Sequence, residues 1–202
     1  MSRSQPSARH RELLELYGRL HREGEQFIGL TPASTYPGVS LMPHIQRIKE
    51  MIYQTGARTL LDYGSGKGYQ YDPQPIRIEG VGTWDSVPDY WDVDEVRCYD
   101  PCYVPYSKLP TGQFDGVVST DVLEHCNAED LPWIVEEIFS FATRFVFAAV
   151  ACYPAKSRLP NGENAHCTVR PAPWWHELFQ QAAGKHPRVK WKIIAQDIRE
   201  KN

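Results

Sequence analysis

The chain has 202 residues and a formal net charge of −3, with 42% hydrophobic and 23% charged residues, a balance that suits one globular domain and offers no broad basic field for nucleic acid. No apolar run approaches the length of a membrane span and residues 1–6 contain no signal-peptide core, so a cytoplasmic protein is expected. Five scattered cysteines do not suggest a disulfide framework.

Residues 8–22 predict an amphipathic helix, with Leu13, Leu16, Tyr17 and Leu20 on one face among Arg, Glu and His. Residues 27–38 are too rich in Pro and Gly for regular structure. A second helix over 42–54 places Ile45, Ile48 and Ile52 on one side. Residues 1–42 thus read as an N-terminal helix and a segment that is either a lid or a plain cover. The main domain runs over 43–202.

Thr59-Leu60-Leu61 reads as a short buried strand, followed at once by Asp62-Tyr63-Gly64-Ser65-Gly66-Lys67-Gly68. Three glycines at alternating positions make a sharply bent loop with no side chains to hold a ligand away, so a nucleotide-like ligand could lie against its backbone N–H groups. A P-loop would need glycine where Leu61 stands and Ser or Thr where Gly68 stands. A dinucleotide fingerprint anchored on Gly64 and Gly66 would need glycine at Tyr69. Neither pattern fits, and an ordinary glycine-rich turn is the bland alternative.

Beyond the loop, Tyr71-Asp72-Pro73-Gln74-Pro75 cannot sustain a helix, and residues 90–95 supply at most a short one. Residues 96–99 predict a second strand that ends on Asp100. An acid there stands beside the first strand's C-terminal end and can accept both hydroxyls of a ribose. The other register makes residues 76–79 the second strand, with Glu79 as the acid. The abrupt Tyr99-Asp100-Pro101 junction favours Asp100.

From Pro101 to Gln113 only 13 residues remain before the strand Phe114–Thr120, too few for a helix, a further strand and a loop. That predicts a sheet trimmed on one side. Asp121-Val122-Leu123-Glu124-His125 then leads to a helix over 128–142, with Asn127 as its N-cap. Residues 145–150 form a fourth buried strand, 152–166 a turn-rich loop, 173–183 a helix, and 188–196 a last edge strand expected to run antiparallel.

In their order, the acid-x-G-x-G-x-G loop, the strand ending on Asp100, the Phe114-Asp115 strand and the Val122-Leu123-Glu124-His125 turn resemble the class I S-adenosylmethionine (SAM) dependent methyltransferases over roughly residues 43–180. The resemblance implies an α/β fold, a Rossmann-like doubly wound and mostly parallel sheet, with SAM as cofactor and a small-molecule hydroxyl, amine or carboxylate as acceptor. It also implies that Asp62 organises the loop, and that Tyr63, Gly64, Ser65, Gly66 and Gly68 admit the methionine part. Asp100 would hold the ribose, and Thr120, Asp121 and Val122 would flank the base or the amino-acid tail. Asp121 is equally suited to capping the following turn.

His125 and His166 are the candidate general bases, since imidazole titrates near neutral pH and both fall on the ligand-bearing edge. Each is also suited to a backbone hydrogen bond. Tyr63, Tyr69 and Tyr71 could face a sulfonium, or pack in the core. Trp84, Trp91, Trp174 and Trp175 could line an acceptor pocket, or serve as core. Cys98 and Cys102 with His125-Cys126 or His166-Cys167 make a weak zinc set, so no metal is assigned. Other functions compatible with these residues are transfer or cyclisation of the aminocarboxypropyl arm, a catalytically silent SAM-fold subunit with an exposed patch at Trp174 and Trp175, and a nicotinamide oxidoreductase.

Overall fold

The computed structural model describes residues 1–197. Its strands are β1 (Thr59–Tyr63), β2 (Ile76–Ile78), β3 (Gly82–Trp84), β4 (Glu95–Tyr99), β5 (Phe114–Thr120), β6 (Ala142–Ala151) and β7 (Lys190–Gln196). Its helices are α1 (Ala8–Glu23), α2 (Ile45–Thr55), α3 (Val87–Trp91), α4 (Leu131–Phe141) and α5 (Ala172–Lys185). Five strands form one sheet in the order β4-β1-β5-β6-β7, and every pairing in it is parallel.

Strand periodicity explains why both faces are covered. Leu60, Val118, Phe145 and Phe147 point to the face where Ile45, Ile48 and Ile52 of α2 and Trp91 of α3 pack. Their neighbours Leu61, Val117 and Val146 point to the opposite face, against Ile134 and Ile138 of α4 and Trp175 and Phe179 of α5. Strands buried on both faces read as continuous apolar runs, as 145–150 does. The fold is α/β with helices on both sides of a parallel sheet, consistent with a Rossmann-like architecture.

Several expectations are corrected. The last strand runs parallel to β6, because α5 lies between them and returns the chain to the starting end of the sheet. The 76–79 segment belongs to an antiparallel hairpin, β2–β3, that stands apart from the sheet. Glu79 therefore has no place at a sheet strand's end, whereas Asp100 directly follows β4. Asn127 does not cap α4: the helix begins at Leu131, with Pro132 in its first turn and Asp130 at the cap position. The Asp130 carboxylate is drawn instead to the Ser7 N–H and the Trp133 indole. Between β4 and β5 the chain makes only a 3-10 turn, Val104–Tyr106.

After β1 the chain moves outward to β4, then crosses back to place β5 on the other side of β1. The direction of winding reverses there, which opens a crevice between the C-terminal ends of β1 and β5. α1 and residues 25–40 lie over that crevice. α1 is attached through a small cluster of Leu13, Tyr17 and Leu20 with Leu159 and Ala165.

Gly116 sits at the sheet centre, where an added Cβ would come within 2.2 Å of the Phe145 ring and 2.7 Å of Leu60. Gly184, in α5, has nothing within 4 Å of such a Cβ. Gly116→Ala is expected to destabilise by about 1–3 kcal/mol through overpacking. Gly184→Ala is expected to stabilise by up to about 1 kcal/mol through helix propensity. Urea denaturation of the two variants checks the opposite signs.

Candidate functional site

The ends of β1 and β4 are cross-braced. Gly64 and Ser65 N–H groups both donate to the Tyr99 carbonyl, at 2.7 and 3.1 Å. The Asp100 carboxylate accepts the Gly66 N–H at 3.0 Å and the Cys102 N–H at 2.8 Å. Lys67 N–H donates to Tyr36 O, and Gly68 N–H to Ser65 O. All five N–H groups of 64–68 are therefore satisfied within the chain. This corrects the expectation that the loop offers its N–H groups to a ligand.

The loop's glycines are needed by the protein itself. Gly64 has φ of +88°, and a Cβ there would meet Val122 at 2.4 Å. Gly66 has φ of +57°, and a Cβ would meet the Tyr36 carbonyl at 2.3 Å. The N-terminal segment thus packs onto bare backbone that only glycine supplies.

Under that cover lies a cavity of about 290 Å³, at the small end of the range for ligand pockets. Tyr63, Gly64, Gly66, Asp100, Thr120, Asp121, Val122 and His125 line it. The first strand's loop, the end of β4 and the loop after β5 thereby meet at one place. Asp62, Ser65 and Gly68 do not line it. Asp62 is turned inward, where one oxygen accepts from Gln70 Nε2 and the Tyr71 hydroxyl, both at 2.9 Å, and so ties down the chain after the loop. Burial pushes the Asp62 carboxyl up to about 7, against those two hydrogen bonds. Burial likewise lifts Asp100 to about 6, against the backbone N–H groups of Cys102 and Gly66.

The sequence reasoning missed the cover's own contribution. Tyr17, His21 and Tyr36 all line the cavity. Lys67 Nζ donates to Thr35 O and lies 3.1 Å from His21 Nδ1. An ammonium only donates, so that ring nitrogen is the acceptor. Burial, with the Lys67 charge adding, pushes His21 down to about 4. Tyr36 holds φ of +50° and its buried hydroxyl has no hydrogen-bond partner among the described residues. His10, Leu13, Leu14, Tyr17 and His21 share the cavity-facing stripe of α1 at helical spacing, a signal that could have been read had polar residues been counted with the leucines.

His125 lines the cavity, and His166 stands behind it with ring centroids 4.9 Å apart at 86°. His125 Nδ1 is 2.8 Å from the Ala165 carbonyl, and His166 Nδ1 is 2.6 Å from the Tyr153 carbonyl. Asp121, with φ of +61°, brings its carboxylate to the same spot. Glu124 is fully buried beneath, its carboxyl held well above the usual range by burial and then by the charge of Asp121.

Other expectations fail on geometry. Tyr71 packs near Trp91, and Tyr69 is exposed. Tyr63, by contrast, packs in the core, one of its two expected readings, with its hydroxyl donating to Glu137, and it also contributes to the cavity lining. None of Trp84, Trp91, Trp174 and Trp175 lines the cavity; Trp91 and Trp175 are wholly buried, so no exposed double-tryptophan patch exists. Cys98, Cys102, Cys126 and Cys167 are free thiols, and no cysteine joins a metal-ligand cluster among the described residues. No helix among those residues is long and apolar enough to cross a membrane.

The chain matches no family model, and no curated protein or solved structure matches it.

The raised carboxyls have a consequence for stability. A buried Asp that stays protonated in the fold while the unfolded chain ionises contributes stability that is complete below 3.8 and fades as pH rises through about 7. Asp62→Asn keeps an acceptor for Gln70 and Tyr71 but cannot ionise. Its loss of stability between about pH 5 and about pH 8, read from urea midpoints, is expected to be smaller than that of the unaltered chain.

Proposed function

We propose that this chain is a class I SAM-dependent methyltransferase whose acceptor is a small-molecule hydroxyl, amine or carboxylate. The observation that carries this reading is a cavity at the winding reversal that pairs a donor-free glycine loop with the Asp100 carboxylate. A pyrophosphate needs unpaired donors, and this loop has none. That counts against a nicotinamide dinucleotide. An adenosyl ligand without phosphates needs close backbone approach and an acceptor for its ribose. Gly64 and Gly66 supply the first. Asp100 supplies the second: a carboxylate has about four acceptor sites, and two backbone donors leave room for a diol.

The residues present fit such a group on a further point. The orphaned Tyr36 hydroxyl belongs to a cavity-lining residue, and an unpaired buried hydroxyl is costly unless a ligand meets it. When bound, SAM supplies a sulfonium methyl for in-line transfer. The chain's part is to hold the adenosine on Asp100, align the acceptor against the loop after β5, and keep water out. A proton released by the acceptor can leave through the group formed by Asp121, His125 and His166, where the Nδ1–carbonyl bonds leave Nε2 as the acceptor of each neutral ring.

Residues 1–42 act as a lid in this reading. The apolar cluster under α1 is small beside the two main cores, so opening there offers a route to the cavity. The sheet ends at β4 on one side among the described residues, which in this family corresponds to a trimmed edge.

Calorimetry with SAM is expected to show one molecule bound per chain, and NADH none. Tyr36→Phe is expected to leave thermal stability unchanged or slightly raised while weakening SAM by several-fold, about the worth of one neutral hydrogen bond. With a turned-over acceptor, S-adenosylhomocysteine marks methyl transfer, and methylthioadenosine marks aminocarboxypropyl chemistry. No affinity for SAM overturns the proposal.

A further inference from the structure

Asp121, His125 and His166 each bring one ligand atom to a place where all three lie within 4.8 Å of one another. The two imidazoles are held in one tautomer. A backbone carbonyl only accepts, so Nδ1 of His125 facing Ala165 O and Nδ1 of His166 facing Tyr153 O both carry the proton. In the neutral ring each Nε2 then carries the lone pair, and the hydrogen bonds found for both rings among the described residues are made at Nδ1. Binding the far ring nitrogen to a backbone carbonyl is the outer-shell arrangement that orients histidines on metals. His166 is only 9% exposed, so its lone pair has little access to solvent. Asp121 completes the group from a left-handed backbone conformation, unusual for a residue with a side chain and a recurrent mark of functional geometry.

We propose that Asp121, His125 and His166 form a site for one divalent transition-metal ion on the wall of the cavity. Two imidazoles and one carboxylate suit zinc or iron(II), and the nitrogen donors exclude an all-oxygen magnesium or calcium cage. Ligand atoms around a tetrahedral zinc with bonds of roughly 2.0–2.1 Å are roughly 3.3 Å apart. Gathering these three onto an ion thus asks for shifts on the order of 1 Å. Asp121 and His125 line the cavity, so the coordination positions that the protein leaves open face its interior. They suit an oxygen donor, a hydroxyl or carboxylate. Identifying that donor with the methyl acceptor rests on the proposed function; metal binding itself does not. With an ion in place the imidazoles no longer act as bases, and the ion lowers the pKa of the coordinated hydroxyl.

The test uses the full chain after chelator treatment and dialysis, titrated with Zn²⁺ by calorimetry and with Co²⁺ by visible absorption. One ion per chain is expected, with ligand-field bands characteristic of nitrogen and oxygen ligands. Asp121→Asn, His125→Ala and His166→Ala are each expected to weaken binding at least tenfold. His176→Ala, on the α5 surface, is expected to bind as the unaltered chain does. Asp121 is exposed, and asparagine keeps its size and its ability to bond Glu124, so Asp121→Asn decides the matter should a histidine variant fail to fold. Absence of stoichiometric Zn²⁺ or Co²⁺ binding overturns the proposal, as does binding that Asp121→Asn leaves unchanged. SAM calorimetry on the same metal-free chain separates the two readings: SAM binding without metal binding sinks the site alone, and metal binding without SAM sinks the methyltransferase alone.

Discussion

The Asp100 carboxylate and the Tyr99 carbonyl beside it hold the ends of β4 and β1 together, and the rest of the site is built on that brace. Tyr99 O takes two N–H groups from the glycine loop and Asp100 takes a third, together with Cys102 N–H from its own turn. The loop is thereby fixed in a left-handed path that only glycine follows at low cost. Its outer side becomes smooth backbone, and residues 35–37 of the cover settle there through Tyr36 O and Pro37 O. Lys67 runs back through the same contact to Thr35 O. Loop, strand end and cover form one hydrogen-bonded unit, so the floor and the roof of the cavity between them are joined through Tyr36, Pro37 and Lys67.

That arrangement explains a feature odd for a glycine loop, its lack of free donors. Backbone N–H groups can be spent on a ligand or on the protein, not on both. Here the protein takes them, and what is left at the floor is an acceptor, Asp100, raised by burial and ready to gain from hydroxyl donors. The chemistry that such a floor favours is a diol or a cation rather than a phosphate. The buried Lys67 ammonium works with the same carboxylate, and its burial lowers its own pKa while Asp100 opposes the fall.

Much of the sheet was legible because apolar runs and their breaks are local. Residues 114–120 and 145–150 could be assigned from composition alone, and β6 merely extends further, to Ala142–Ala151. The direction of β7 was not legible: alternation in Val189, Trp191 and Ile193 shows half-burial, and half-burial suits an edge strand of either direction. Only the helix ahead of it settles the matter. The cap of α4 was misplaced for a similar reason, since Asn127 and Asp130 are both good N-caps in isolation. Pro132 and the distant Ser7 and Trp133 decide between them. At the site, residues on the loops after β1, β4 and β5 could be foreseen from topology. Tyr36 could not, because its placement depends on a cover that meets the loop only in three dimensions, while His21 left only the helical spacing of its stripe on α1 as a clue.

The cover also reaches the histidine pair, which links access to chemistry. Tyr17 Oη donates to the Ala165 carbonyl at 2.6 Å, the same carbonyl that receives His125 Nδ1. Tyr17 Oη is also 3.2 Å from His125 Nδ1, and the two rings meet edge to face. Lifting α1 away would remove one of the carbonyl's two donors and one wall of the imidazole, while leaving the Nδ1 bond that sets the tautomer. His125 would keep its proton arrangement but lose its lateral restraint. The cover therefore does more than line the cavity: it restrains the His125 ring that stands beside Asp121 and His166. With α1 seated, the cover is thus a neighbour of the histidine pair as well as a wall of the cavity.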